Sequence, residues 1–153
     1  MFYPISAQAT EKTRKVIQFG YEYNYQNKNT FKPIQPIPNV LKKLLELLPS
    51  VNYNQCILNR YLPEQGINPH IDNVAYGETI ACFTFLGSRE MEFDKDEESF
   101  CLVTEPGSAY IMTGDTRYKW RHQMRGRLFD NKKRRTEYFS VTFRQVVSAG
   151  NTA

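Results

Sequence analysis

Only two histidines occur in the 153-residue chain, and one of them stands in Pro69-His70-Ile71-Asp72. The single intervening residue puts the His70 imidazole and the Asp72 carboxylate on one face of an extended strand, so both can reach one metal ion. Two histidines and one carboxylate form the facial triad of non-haem Fe(II) oxygenases, which leaves coordination positions open for a cosubstrate and oxygen. The third ligand is then His122, the other histidine of the chain. A bare His-x-Asp recurs by chance in many chains. Its weight here comes from the position of His122, about fifty residues on and after several expected sheet crossings. A zinc hydrolase could use the same donors, but the chain offers neither HExxH nor a deaminase-type cysteine pair.

Near the C-terminus, Ser140-Val141-Thr142-Phe143-Arg144 reads as a strand that ends in an arginine, with Ser140 and Thr142 on the arginine's face. A guanidinium presents a planar fork that takes a carboxylate bidentately and never titrates away, which makes Arg144 a candidate clamp for a dicarboxylic cosubstrate. The competing reading is an arginine that covers a sheet face or pairs with an acid. A second cationic feature is Arg117, Lys119, Arg121, Arg125, Arg127, Lys132, Lys133, Arg134 and Arg135, a run that contains one acid, Asp130. Such a field could gather phosphates or simply form a solvated basic loop. The net charge of +4, with a pI near 8.9, does not by itself imply nucleic acid.

These residues need elements to position them. Residues 16–25 (VIQFGYEYNY) alternate aromatic and polar types, so one strand would place Phe19, Tyr21, Tyr23 and Tyr25 on a single face suited to stacking or packing. Pro33, Pro36 and Pro38 then forbid regular pairing and predict an extended surface connection. Asn39 can cap a helix through about Leu48, with Val40, Leu41, Leu44, Leu45 and Leu48 on one stripe and Pro49 closing it. Beyond Ser50, short β-branched and aromatic runs predict strands near 54–61, 80–86, 89–94, 99–104, 108–113, 119–124 and 137–146. Many short strands at this spacing imply a sandwich or barrel, with the helix covering one sheet from outside.

Composition agrees with one mainly β domain carrying an N-terminal helix. Hydrophobic residues make up 41% and charged residues 24%, ordinary values that argue against global disorder, while ten Tyr and ten Phe enrich the aromatic share. A chain of this length buries roughly two-thirds of its unfolded surface and needs no disulfide. Cys56, Cys82 and Cys101 fit neither a disulfide framework nor a zinc pattern and read as buried reduced thiols. The start lacks the apolar core of a signal peptide, and no stretch approaches the ~20 apolar residues of a membrane span. The expectation is a soluble, intracellular, monomeric protein without a membrane partner.

Taken together, Asn59-Arg60-Tyr61, His70 to Asp72, MTGDTRYKWRH at 112–122 and SVTFR at 140–144 resemble the AlkB family of Fe(II)/2-oxoglutarate dioxygenases over about 19–146. FGYEYNY at 19–25 and MTGDTRYKWRH look closest to the branch that modifies wobble uridines in transfer RNA. The resemblance implies a double-stranded β-helix, or jelly roll, as the fold. It divides the single domain into a lid strand and helix at 1–50, a jelly-roll core at 51–147 and a tail at 148–153. It implies Fe(II), 2-oxoglutarate and molecular oxygen as cofactors. Asn59 and Tyr61 would hydrogen-bond 2-oxoglutarate, Arg144 would bind one of its carboxylates, and the aromatic strand through Tyr21, Tyr23 and Tyr25 would grip the target nucleotide. One departure stands out. The family usually has a second arginine six residues before the last, and this chain has Tyr138 there. A tyrosine can hydrogen-bond a carboxylate but cannot neutralise it, and Arg134 and Arg135 are poorly placed to substitute.

The chemistry implied is oxidation of a carbon attached to a base in RNA or single-stranded DNA. A hydroxylated carbon on nitrogen collapses to formaldehyde, whereas one on carbon stays as the product. The target base must leave its stack, so Tyr21, Tyr23, Tyr25 and Trp120 are candidate stacking partners and Arg117, Lys119, Arg121, Arg125 and Arg127 candidate phosphate contacts. N-demethylation of methylated adenine or cytosine is the first expectation and wobble-uridine hydroxylation the second. An oxygenase acting on a protein side chain or small molecule, and a catalytically silent RNA-binding module, are the competing classes.

Overall fold

The structure is a computed structural model that describes residues 3–4, 13–24 and 30–147; Tyr25 and the expected tail at 148–153 lie outside the described residues. In chain order the strands are β1 (Tyr3–Pro4), β2 (Lys15–Phe19), β3 (Tyr21–Tyr23), β4 (Phe31–Pro33), then helix α1 (Asn39–Leu45), β5 (Gln55–Tyr61), β6 (Ile67–His70), β7 (Ile80–Leu86), β8 (Arg89–Lys95), β9 (Glu98–Thr104) and β10 (Ala109–Met112). Helix α2 (Gly114–Tyr118) precedes β11 (Arg121–Met124), β12 (Phe129–Asp130), β13 (Lys133–Arg134) and β14 (Tyr138–Arg144).

Two sheets carry the fold. The larger runs β1-β2-β5-β14-β7-β10 and the smaller β6-β11-β8-β9, and every neighbouring pair in both is antiparallel. Strand β14 shows why both faces of the larger sheet are buried. Its alternate residues Val141 and Phe143 join Ile37, Tyr53, Cys56, Ala81 and Phe83 in an outer core, closed by Leu41, Leu44, Leu45 and Leu48 of the helical segment. Tyr138 faces the other way and joins Tyr61, Ile80 and Met112 with Met91, Phe93 and Met124 of the smaller sheet. Two sheets face each other across this inner core, as expected for a jelly roll. No helix among the described residues is long and apolar enough to cross a membrane.

Several local expectations are corrected. The segment 16–25 is not one strand, because Gly20 adopts φ +80 and a Cβ there would fall 1.9 Å from the Asn54 carbonyl oxygen. The chain turns at that glycine, so Phe19 packs on the outer core while Tyr23 lines the inner cavity. The proline-rich connection does pair briefly, since β4 forms a two-stranded sheet with β3 and Pro33 lies at its end. Helix α1 starts from Pro38, whose carbonyl accepts from the Leu41 and Lys42 N–H groups; Asn39 is not its cap, and Val40 is exposed. Residues 119–120 are not strand, because α2 intervenes before β11. All three cysteines are free, but Cys101 is exposed on β9.

Candidate metal centre and pocket

Strands β6 and β11 are neighbours in the smaller sheet, and their register sets His122 directly opposite His70. This ladder closes the long sequence gap between the histidines. Strand β6 ends at His70, and Asp72 lies just beyond it, buried. The loop that follows is held by Arg117 of α2. Its buried guanidinium donates to the carbonyls of Asp72 (3.0 Å), Asn73 (2.8 Å), Tyr76 (3.0 Å) and Gly77 (3.0 Å).

The donor atoms converge. Nε2 of His70 lies 3.3 Å and Nε2 of His122 3.6 Å from the same oxygen, Oδ1 of Asp72, and one ligand atom from each residue fits within 4.8 Å of the others. Nδ1 of His70 is 2.7 Å from the Asn68 carbonyl, which can only accept, so Nδ1 carries a proton and Nε2 is the ring nitrogen that faces Asp72. Burial pushes the His122 imidazole down to about 4 although Asp72 opposes the shift, so this ring is neutral at neutral pH. Burial alone would raise the Asp72 carboxyl, but the Arg144 guanidinium bonded to it holds it well below the ordinary carboxylate range. Nε2 of both rings is directed at one buried carboxylate oxygen, with the three ligand atoms gathered as they would be around a shared ion. The donor set therefore fits a divalent metal, and its nitrogen and oxygen chemistry suits Fe(II).

Asp72 splits its two oxygens between roles. Oδ1 faces the histidines, while Oδ2 accepts from Arg144 Nε at 2.7 Å. The Arg144 guanidinium also lies over the Tyr76 ring, 4.8 Å from its centre. Asn59, Tyr61, Tyr138, Ser140, Thr142 and Arg144 all line one cavity of about 790 Å³ that reaches the metal donors. The register explains their grouping, since β14 pairs Tyr138 with Tyr61 and Ser140 with Asn59 on the inward face. Tyr138 is buried and its hydroxyl is 2.9 Å from Thr84 Oγ1. Arg135 does not replace the absent arginine: it is buried in a hairpin, donating to Asp130 and to the carbonyls of Arg125 and Arg127. Arg134 is exposed on β13.

The residues expected at the substrate are less well gathered. Tyr23 lines the cavity and packs with Phe31 (5.5 Å) and Tyr76 (6.1 Å), whereas Tyr21 is half-buried on β3 and does not line it. Trp120 packs on Phe100 at 5.2 Å as part of the inner core's margin. Much of the basic run is drawn into pairs within the fold. Arg117 is buried in the metal loop and cannot meet a phosphate. Lys119 pairs with Asp115, Arg121 with Asp94, Arg125 with Glu92, and Arg127 with Glu90 and Asp130. The acids come mostly from β8, which the linear run does not contain. Phe31, Asn73, Tyr76 and the Arg117 anchor escaped the sequence reading, because a proline-rich segment and a loop gave no periodic signal.

The comparisons with known proteins agree with this geometry. A family model described as the 2OG-Fe(II) oxygenase superfamily matches residues 3–144. The chain is 35% identical over 146 residues to uncharacterized protein L905 of Acanthamoeba polyphaga mimivirus, covering 82% of this chain and 68% of that protein. It is 33% identical over 136 residues to the tRNA (carboxymethyluridine(34)-5-O)-methyltransferase alkbh8 of Xenopus tropicalis, covering 82% of this chain but only 22% of that longer protein. The solved structure of OsALKBH1 superposes with a TM-score of 0.69 at 17% identity over 94% of this chain and 83% of that one, a likeness of fold. A His-Asp-His donor set, a jelly-roll frame and a match over nearly the whole described chain place this protein in the 2OG-Fe(II) oxygenase superfamily, within its AlkB branch.

Proposed function

We propose that the chain oxidises a carbon carried by an RNA base, with a modified wobble uridine of transfer RNA as the first substrate and N-methylated adenine or cytosine as the second. The observation that carries this reading is the metal donor set opening into a cavity that Tyr23 and Tyr76 also line, with Phe31 stacked edge-on against Tyr76 at 5.3 Å. An aromatic wall beside a metal suits a base lifted out of its stack, since every base offers a π-face worth ~1–3 kcal/mol in stacking. The uridine is placed first because the Xenopus relative, similar over most of this chain, is named for a carboxymethyluridine of transfer RNA.

In this reading His70, Asp72 and His122 hold the iron, which with 2-oxoglutarate and oxygen supplies the oxidant for a C–H bond. Asp72 stays ionised under Arg144, and its Oδ1, which faces both histidines, would be the oxygen donor. His122 remains neutral and available as a ligand. Arg144, which lines the same cavity, would bind a carboxylate of the cosubstrate, and Asn59, Tyr61 and Ser140 would supply hydrogen bonds along that wall. The test is mass spectrometry of nucleosides after incubation with Fe(II), 2-oxoglutarate, air, transfer RNA and methylated oligonucleotides. A gain of one oxygen on a uridine supports the first substrate, and loss of one methylene supports the second. No change in any base, with iron and 2-oxoglutarate bound, would remove nucleic acid as the substrate class.

A further inference from the structure

We propose that Arg14 anchors the carboxylate of 2-oxoglutarate that lies away from the metal, a role that rests on the cosubstrate reading above. This cosubstrate has a carboxylate at each end, and a buried carboxylate needs a cationic or strongly hydrogen-bonding partner. Among the described residues that line the cavity, the lysine and arginine side chains are Arg14 and Arg144. Arg144 is committed to the metal end by its bond to Asp72 Oδ2.

The other end is defined by strand register. Tyr138 pairs with Tyr61 across β14 and β5, and Lys15 pairs with Arg60 across β2 and β5, which brings Arg14, the next residue out from β2, level with Tyr61. Arg14, Tyr61 and Tyr138 thus form one row across the larger sheet, six residues along β14 from Arg144. Nη1 of Arg14 donates to the Tyr61 hydroxyl at 3.1 Å, and its guanidinium carbon lies 5.8 Å from the centre of the Tyr61 ring. The side chain is therefore laid across Tyr61 at the cavity wall. Gln65, buried, holds the backbone there by donating to the Thr13 carbonyl at 3.0 Å while its oxygen accepts from the Leu62 N–H at 2.8 Å. The other groups near this row do not supply the charge. Tyr138 is bonded to Thr84, and Arg89, stacked on the Tyr138 ring, is turned to the carbonyls of Ser88, Leu62 and Thr136. Arginine also offers the planar fork that a carboxylate takes bidentately.

The test is anaerobic titration calorimetry of the Fe(II)-loaded wild type, Arg14→Gln and Arg14→Lys with two ligands. These are 2-oxoglutarate and 2-oxobutyrate, which shares the metal-facing end but has no remote carboxylate. The expected result is at least a tenfold loss of 2-oxoglutarate affinity in Arg14→Gln, partial recovery in Arg14→Lys, and 2-oxobutyrate affinity within twofold of wild type in both. Unchanged 2-oxoglutarate binding in Arg14→Gln overturns the assignment. Equal loss of both ligands also overturns it, because Arg14 would then shape the pocket rather than meet the remote carboxylate. A wild type that binds iron but neither 2-oxo acid would overturn the cosubstrate reading itself.

Discussion

At the residue scale the site depends on three donors and on the groups that fix them. His70→Ala and Asp72→Ala are each expected to abolish turnover while leaving the fold intact. The measurement is thermal unfolding with and without Fe(II): the wild type gains stability, about 2.7 kcal/mol when free metal is a hundredfold above its Kd, and the variants do not. Full product formation in either variant would remove the metal assignment. Arg117 is the less obvious member. Replacing it by Ala leaves four loop carbonyls without their common donor, and a loss of about 3 kcal/mol is expected in chemical denaturation, together with weaker metal binding. Arg117→Lys should not restore either, since an ammonium cannot span four carbonyls fixed around a planar fork.

At the element scale the hairpin leading from β11 to β14 is built around one carboxylate. Asp130 accepts from Arg127 Nε (2.8 Å), from Arg135 Nε (2.8 Å) and from the Glu90 N–H (3.2 Å). Burial raises its pKa, but these donors outweigh burial and bring it below the ordinary value. A carboxyl depressed in the folded state stabilises above its unfolded pKa of ~3.9, and that contribution is lost as pH falls through the folded value. Asp130→Asn should therefore cost about 3 kcal/mol at neutral pH, because Arg135 stays buried without its partner, and should flatten the acid limb of the stability curve below about pH 4. An unaltered limb in urea titrations across pH would show that other carboxyls govern it. Gly20 is the second control point at this scale. Gly20→Ala meets both a positive φ, worth roughly 1–2 kcal/mol, and the Asn54 carbonyl, so it should lower Tm and disturb the β3–β4 wall that carries Tyr23.

At the scale of the whole molecule, pairing within the fold removes most of the 117–135 run from the charge open to phosphates. Most of the run from Arg117 to Arg135 is ion-paired or buried, while Lys132, Lys133 and Arg134 stay exposed and make no ion pair with a described residue. Oligonucleotide binding is expected to show a log–log salt slope of about −2 or shallower, as for ~3 phosphates on a single strand. A much steeper slope would mean that the ion pairs open to meet phosphates. A shallow slope places selectivity in the aromatic wall and in the shape of the cavity.

The parts legible in the sequence were those carried by residue type and local period. Two histidines and a nearby carboxylate left one plausible donor set, and alternation in 138–144 set Tyr138, Ser140, Thr142 and Arg144 on one face before any fold was known. The strands at 80–86 and near 89–94 and 99–104 were visible for the same reason. Tertiary structure decided what depends on neighbours distant in the chain. The β6–β11 register puts His122 opposite His70, α2 sends Arg117 into the metal loop, and β8 brings the acids that neutralise the basic run. Gly20 turns an apparently continuous strand, because its close approach to Asn54 exists only after β5 is in place. Residue type determines which chemistry is possible, since donor atoms and charge belong to side chains. Long-range pairing determines which side chains meet, since the larger sheet joins segments from both ends of the described chain.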